Sequence, residues 1–184
     1  HRAAGTYILI LKDRLFFFAD TTVNIDPDAE TLAEIAILTA EFARRFDVVP
    51  RVAMLSFSNF GSNPHPSARK ARRAVEIVRA RAPELAIDGE MQADTAVMAS
   101  VLQESYPWTR LGGPANVLIF PELNSANTAY KLIWRLAGAE AIGPVLLGMA
   151  RPVHVLQRGV EVSDIVNMAA ICVVDAQEYE ARKG

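Results

Sequence analysis

Apolar residues along this chain fall into short blocks, and the spacing within each block predicts its element. Tyr7-Ile-Leu-Ile-Leu11 and Leu15-Phe-Phe-Phe-Ala19 flank Lys12-Asp13-Arg14, which predicts a β-hairpin with a three-residue loop. From Ala29 to Phe46, apolar positions recur at Leu32, Ile35, Ala36, Ala40, Ala43 and Phe46. That is helical spacing, with Glu30 and Glu34 early and Arg44 and Arg45 late, as the macrodipole favours. Val52-Ala-Met-Leu55 reads as a buried strand that runs into the loop Ser56-Phe-Ser-Asn-Phe-Gly-Ser62. A helix capped by Ser67 and running to Arg81 follows, with an apolar stripe of Ala71, Ala74, Val75 and Val78. Leu85 to Glu90 predicts a short strand, and Met91 to Glu104 one helix.

Beyond the loop Tyr106–Gly113, the stretch Pro114–Ala170 holds the most suggestive pattern. A buried strand, Ala115 to Phe120, turns through polar residues into a helix carrying Asn124, Ser125, Asn127 and Arg135. A second apolar strand at Gly143–Gly148, a short third around His154 and a Gln157-Arg158-Gly159 turn lead to a final helix opening near Asp164. Polar groups thus gather where strands end and helices begin, the usual place for a ligand in an open α/β sheet. Strands alternate with helices from Val52 onward, which predicts an α/β fold. Its sheet should be mostly parallel and covered by helices on both faces, with the N-terminal β-hairpin added.

Composition narrows the classes. The 184 residues are 51% hydrophobic and 22% charged, which fits a globular chain that needs no metal or disulfide staple. A net charge of −2 predicts neither nucleic acid nor a membrane surface as partner. No apolar run approaches the ~18 residues of a membrane span, and no signal-peptide pattern precedes the first strand. The single cysteine, Cys172, lies in an apolar run and reads as a buried small hydrophobe. One cysteine suits a reducing cytoplasm. The chain opens on His1 without a methionine and is expected to be a fragment of a longer protein.

Several chemistries lack their motifs. There is no dinucleotide fingerprint, phosphate loop or Gly-x-Ser-x-Gly elbow, and His1, His65 and His154 show no ligand spacing. His154 reads as a satisfied structural histidine. Asp88, Glu90 and Asp94 could suggest a metal, but Glu90 and Asp94 read better as acids at a helix start. The arginines of the Ser67–Arg81 helix read as a solvated face. The positive candidates are Asn124, Ser125 and Asn127 at a helix start, where free N–H groups favour an anion, and the guanidiniums of Arg135 and Arg158. Arg135 could equally cap its own helix, and Asp164 could be only a favourable first-turn acid. Ser56 and Ser58 in the strand-end loop either bind a ligand or shape the turn.

Several stretches, taken together, resemble the phosphate acetyl/butyryltransferase family. They are Phe18-Ala-Asp-Thr-Thr-Val-Asn24, Arg51-Val-Ala-Met-Leu-Ser-Phe-Ser58 with Gly61-Ser62, and Asp88-Gly-Glu-Met-Gln-Ala-Asp94. Ala115-Asn-Val-Leu-Ile-Phe-Pro121, Ala126-Asn-Thr-Ala-Tyr-Lys131, Gly143-Pro-Val-Leu-Leu-Gly148, Arg151-Pro-Val153 and Asp164-Ile-Val-Asn167 continue the match in order. The resemblance implies that residues 1–184 form the C-terminal part of a phosphotransacetylase-like domain. Family members interconvert acetyl-CoA and phosphate with CoA and acetyl phosphate, using an aspartate as base and a serine and arginines on phosphate. By motif the aspartate falls on Asp164 and the arginines on Arg158 and Arg135. The serine falls on Gln157, a departure. The Ser56-Phe-Ser-Asn-Phe-Gly61 loop looks most like copies fused behind NADP-dependent malic enzymes, where this domain is regulatory. That implies acetyl-CoA or another CoA ester as effector, a homo-oligomer, and a malic enzyme domain in the same full-length chain. NADP and a divalent metal would belong to that other domain, and no cofactor to this one.

Overall fold

The computed structural model describes residues 2–181, so His1 lies outside the described residues. Its elements are β1 (Ala4–Leu11), β2 (Arg14–Ala19), α1 (Ala29–Arg44), β3 (Arg51–Leu55), α2 (Pro66–Arg81), β4 (Ala86–Met91), α3 (Ala93–Val97), α4 (Ala99–Ser105), β5 (Val117–Ile119), α5 (Leu123–Leu136), β6 (Glu140–Leu147) and α6 (Val162–Ala181). The six strands form one sheet in the order β4-β3-β5-β2-β1-β6. β4, β3, β5 and β2 run parallel, while β1 is antiparallel to both β2 and β6. This is the expected mostly parallel α/β sheet with an N-terminal hairpin.

The unbroken apolar runs are explained by burial on both faces, because successive side chains point to opposite sides. In β2, Phe17 and Ala19 join one core with Ile8, Val52, Met54, Val117 and the buried faces of α1 and α2. Phe16 and Phe18 join the other, with Tyr7, Leu9, Leu55, Leu118, Phe120 and Tyr130 of α5. Slipping β2 by one residue would exchange Phe17 with its neighbours across the sheet, so the register Phe17↔Val117 and Ile8↔Phe17 is firmly set.

Several local expectations need correction. Arg14 pairs with Leu11, so the hairpin loop is the two residues Lys12 and Asp13, and Lys12 takes the left-handed conformation at φ 58. Two-residue hairpin loops require such a residue to match strand twist. His65, not Ser67, caps α2, its Nδ1 accepting from the Ser67 amide at 3.2 Å. The helix expected over 91–104 breaks at Met98, which is extended. The cause is competition for carbonyls: Ala115 N–H donates to Ala96 O at 2.8 Å and Arg14 donates to Val97 O at 3.3 Å. Those oxygens would otherwise accept the next turn's amides. Arg151–Leu156 forms no strand, and Cys172 is half-buried rather than buried.

Gly89 marks the tightest backbone approach in the sheet. It sits at φ +133, and a Cβ there would lie 2.6 Å from Met54 O of the neighbouring strand. Gly89→Ala is expected to lower unfolding free energy by at least about 2 kcal/mol, from strain at that φ plus the clash. Urea denaturation measures it; an unchanged midpoint would contradict this packing.

Candidate functional site

Two polar centres lie on the sheet. The first surrounds the ends of β2 and β5. Asp20, directly after β2, is buried, and its carboxylate accepts from the amides of Gly5 (3.1 Å), Thr22 (2.8 Å), Val23 (3.0 Å) and Asn24 (2.9 Å). A carboxylate surrounded by amides fixes the whole 20–24 loop. Glu122, after β5, caps α5 by accepting from Asn124 N–H at 2.7 Å and Ser125 N–H at 2.8 Å. Burial alone would raise its pKa, but the bonds from Ser125 and Asn124 outweigh that and hold it low. The α5 amides read as open to an exogenous anion are therefore occupied by the chain's own carboxylate. Asn127 ties α5 back to this loop through Thr21 O at 3.3 Å.

Tyr7 and Tyr130 stack beside this centre, ring centroids 4.1 Å apart. Burial first, then the hydrogen bond with Tyr130, raises the Tyr7 pKa, and the charge of Asp164 adds to the shift. Asp164 opens α6, its Oδ2 accepting from Glu161 N–H at 2.9 Å. Gln157, Arg158 and Gly159 form an exposed turn before it. Arg135, in the last turn of α5, is exposed and lies over the Trp134 ring at 3.6 Å. It stands eight residues beyond Asn127, about 12 Å along the helix.

The second centre lies at β3 and β4. Ser58 is buried, donating to Glu90 Oε1 at 2.8 Å and accepting from Asn63 N–H at 3.1 Å. Ser56 Oγ accepts from Ser58 N–H at 3.3 Å. Glu90 is not an acid of a helix start, whereas Asp94 does lie in the first turn of α3. Glu90 and Asp88 project from β4 and pair with Arg72 and Arg79 of α2 at 2.9 and 2.6 Å. The basic face of α2 is thus largely structural: Arg73 pairs with Glu76, Arg81 with Glu34 and Lys70 with Asp26. Ser56 and Ser58 follow β3, three strand spacings, about 14 Å, from β1 and Tyr7. Among the described residues no cluster of His, Cys, Asp and Glu could hold a metal ion.

His154 is satisfied as expected: Nδ1 accepts from Leu146 N–H at 3.3 Å and Nε2 bonds Asp175 Oδ2 at 2.8 Å. Arg45 completes that cluster by pairing with Asp175 and Glu178, which binds α6 to α1.

Residues 1–173 match the family model described as phosphate acetyl/butaryl transferase. The chain belongs to this family. It is 49% identical over 179 residues to an NADP-dependent malic enzyme of Escherichia coli, covering 96% of this chain and 24% of that protein. It is 43% identical over 175 residues to a phosphate acetyltransferase of Bacillus subtilis, covering 95% and 54%. A phosphotransacetylase structure from Streptococcus pyogenes superposes with a TM-score of 0.93 at 42% identity, covering 97% of this chain and 55% of that one. The chain thus spans about a quarter of the malic enzyme and about half of the transferases.

Sequence reasoning missed the roles of Asp20, Glu90 and Glu122. Asp20 had a local signal in Asn24, four residues on. Glu90 had none, because its partners come from the loop after β3 and from α2. Burial raises the Glu90 pKa, but Arg72, Gly61 N–H and Ser58 together bring it below its ordinary 4.5. A depressed carboxylate contributes stability that is complete above pH 4.5 and is lost as pH falls through the folded-state value. Glu90→Gln should therefore cost about 2–4 kcal/mol near neutrality, toward the low end because Arg72 stays 38% exposed. The gap to the parent should narrow below pH 4.5 in urea denaturation; a gap independent of pH would refute this assignment.

Proposed function

We propose that this chain is an acetyl-CoA-responsive regulatory and oligomerisation domain of a cytoplasmic NADP-dependent malic enzyme. Oxidative decarboxylation of malate to pyruvate and CO2 would be carried out elsewhere in the same full-length chain, which would also hold the NADP and the metal. The observation that carries this reading is Gln157. In the family pattern a serine hydroxyl stands there, and an amide can donate to a bound anion but offers no hydroxyl to the transition state. Binding groups are retained while a reacting group is replaced. The 49% identity to a malic enzyme supports the same reading.

Arg158 and Gln157 share one exposed turn, where a planar guanidinium and an amide can both donate to CoA phosphates. Arg135 would add a further charge from α5. Binding there would alter malate oxidation only through a difference in affinity between two states of the oligomer, and so reciprocally malate would alter acetyl-CoA affinity. A second reading, active phosphate acetyltransferase, is favoured by the retained Asp164 and by identity to free phosphate acetyltransferases.

Acetyl-CoA at about a hundred times its Kd should stabilise the full-length protein by about 2.7 kcal/mol, seen as a rise of a few degrees in melting temperature. Arg158→Ala should abolish most of that rise. An absent shift, or one the variant keeps, overturns the regulatory reading. Release of CoA-dependent phosphate from acetyl phosphate at enzymatic rates would replace it with the transferase reading.

A further inference from the structure

A cleft at the opposite edge of the sheet from Asp164 is built for a different ligand. It has a volume of about 510 Å³ and lies between α2, β4 and the loop after α4, with walls formed by Phe60, Arg72, Arg79, Asp88, Trp108 and Arg110. That volume is within the range of small-molecule sites.

One wall is aromatic. Trp108 is 61% exposed. It meets Phe60 at a centroid distance of 4.5 Å and 67°, and Tyr106 at 5.9 Å and 88°. Perpendicular neighbours hold the indole in place, while its large exposure leaves surface for a flat ring to stack on. No core function explains an exposed tryptophan held this way.

The other wall is cationic. Arg72 commits Nε and Nη2 to Glu90, and Arg79 commits Nη2 to Asp88 Oδ1 and Ile87 O. Arg79 Nε is buried without a hydrogen-bond partner and is closed to a ligand in the cleft. Arg110 is fixed at its backbone, where Asp88 Oδ2 accepts from its N–H at 2.9 Å, and its side chain lines the cleft. Asp88 Oδ2 also accepts from Thr109 Oγ1 at 2.9 Å, so the loop carrying Trp108 and Arg110 is anchored to β4. Glu90 neutralises Arg72, Asp88 neutralises Arg79 and Arg73 pairs with Glu76, so Arg110 is the guanidinium left to a ligand, which suits one modest anion and disfavours a polyphosphate. The ion pairs account for the Arg72 and Arg79 terminal contacts, but not for Arg110 or the exposed indole.

We propose that this cleft binds a nucleoside monophosphate, its base stacked on Trp108 and its phosphate accepting from Arg110. This site is independent of the acetyl-CoA reading above.

Calorimetry on the full-length protein with AMP, adenosine and inorganic phosphate tests it. AMP should bind at least about tenfold tighter than adenosine or phosphate alone, since either fragment forfeits one wall. Trp108→Leu and Arg110→Ala, both at exposed positions, should each weaken AMP about tenfold or more. Arg158→Ala should leave AMP affinity unchanged. The proposal is overturned if AMP does not bind at millimolar concentration, if both cleft variants bind it like the parent, or if phosphate alone matches AMP. It is overturned equally if Arg158→Ala removes the binding. Failure here leaves the acetyl-CoA response and its Arg158 dependence untouched.

Discussion

A strand buried on both faces can meet polar chemistry only at its ends, and there its flanking amides must still be paired. This constraint shapes the whole chain. Asp20 closes the turn after β2 by accepting four backbone amides, and Glu122 closes the turn after β5 by accepting two. Glu90 does the same for the loop after β3, through Ser58 and the Gly61 amide. Each is an anion supplied by the protein at a place where a ligand anion could otherwise sit. The strand-end region therefore looks more open in sequence than it is. What remains for a ligand lies beyond this inner ring of carboxylates.

The elements themselves were largely legible, because hydrophobic period is a local property. The phenylalanines of β2, the heptad-like stripe of α1 and the run before Pro121 announce their structure within a few residues of the observed ends. The break at Met98 was not legible, since it depends on Ala115 and Arg14 taking carbonyls from residues distant in sequence. The same reason hid the α2–β4 network. Arg72 and Arg79 are seven apart on one helix face, and Asp88 and Glu90 two apart on one strand face. Those spacings are compatible with pairing but do not reveal it. A buried glutamate is also rare enough that Glu90 and Asp94 read naturally as a helix start. Glu122 escaped notice because glutamate is not among the favoured caps.

The candidate CoA side has a different character. The turn at 157–159 is exposed, and α6 buries only Met168 and Ile171 while Val162, Ile165 and Val166 face outward. Its attachment is polar: Asp175 joins His154 of the preceding segment to Arg45 of α1. Arg158 and Asp164 thus ride on elements held by a few directed contacts and by two core side chains, Met168 and Ile171. Such elements open at lower free energy than the sheet, which suits a segment that must respond to a ligand.

The cleft beside Trp108 sits at the other extreme. Its arginines are held by buried carboxylates, and its loop is tied to β4 through Asp88, so its geometry is fixed before any ligand arrives. Preorganisation lowers the entropy a ligand must surrender on binding. It also limits what the site can transmit: a rigid cleft favours no alternative state, and a ligand bound equally to two states shifts neither. One path by which the Trp108 cleft could influence the distant turn runs through α2 and α1 to the Arg45–Asp175 contact. Those two helices pack on the same face of the sheet, and Arg45 caps α1 where α6 is attached. This helical route runs beside the sheet itself, which also joins β4 to β6 and α6 without a break.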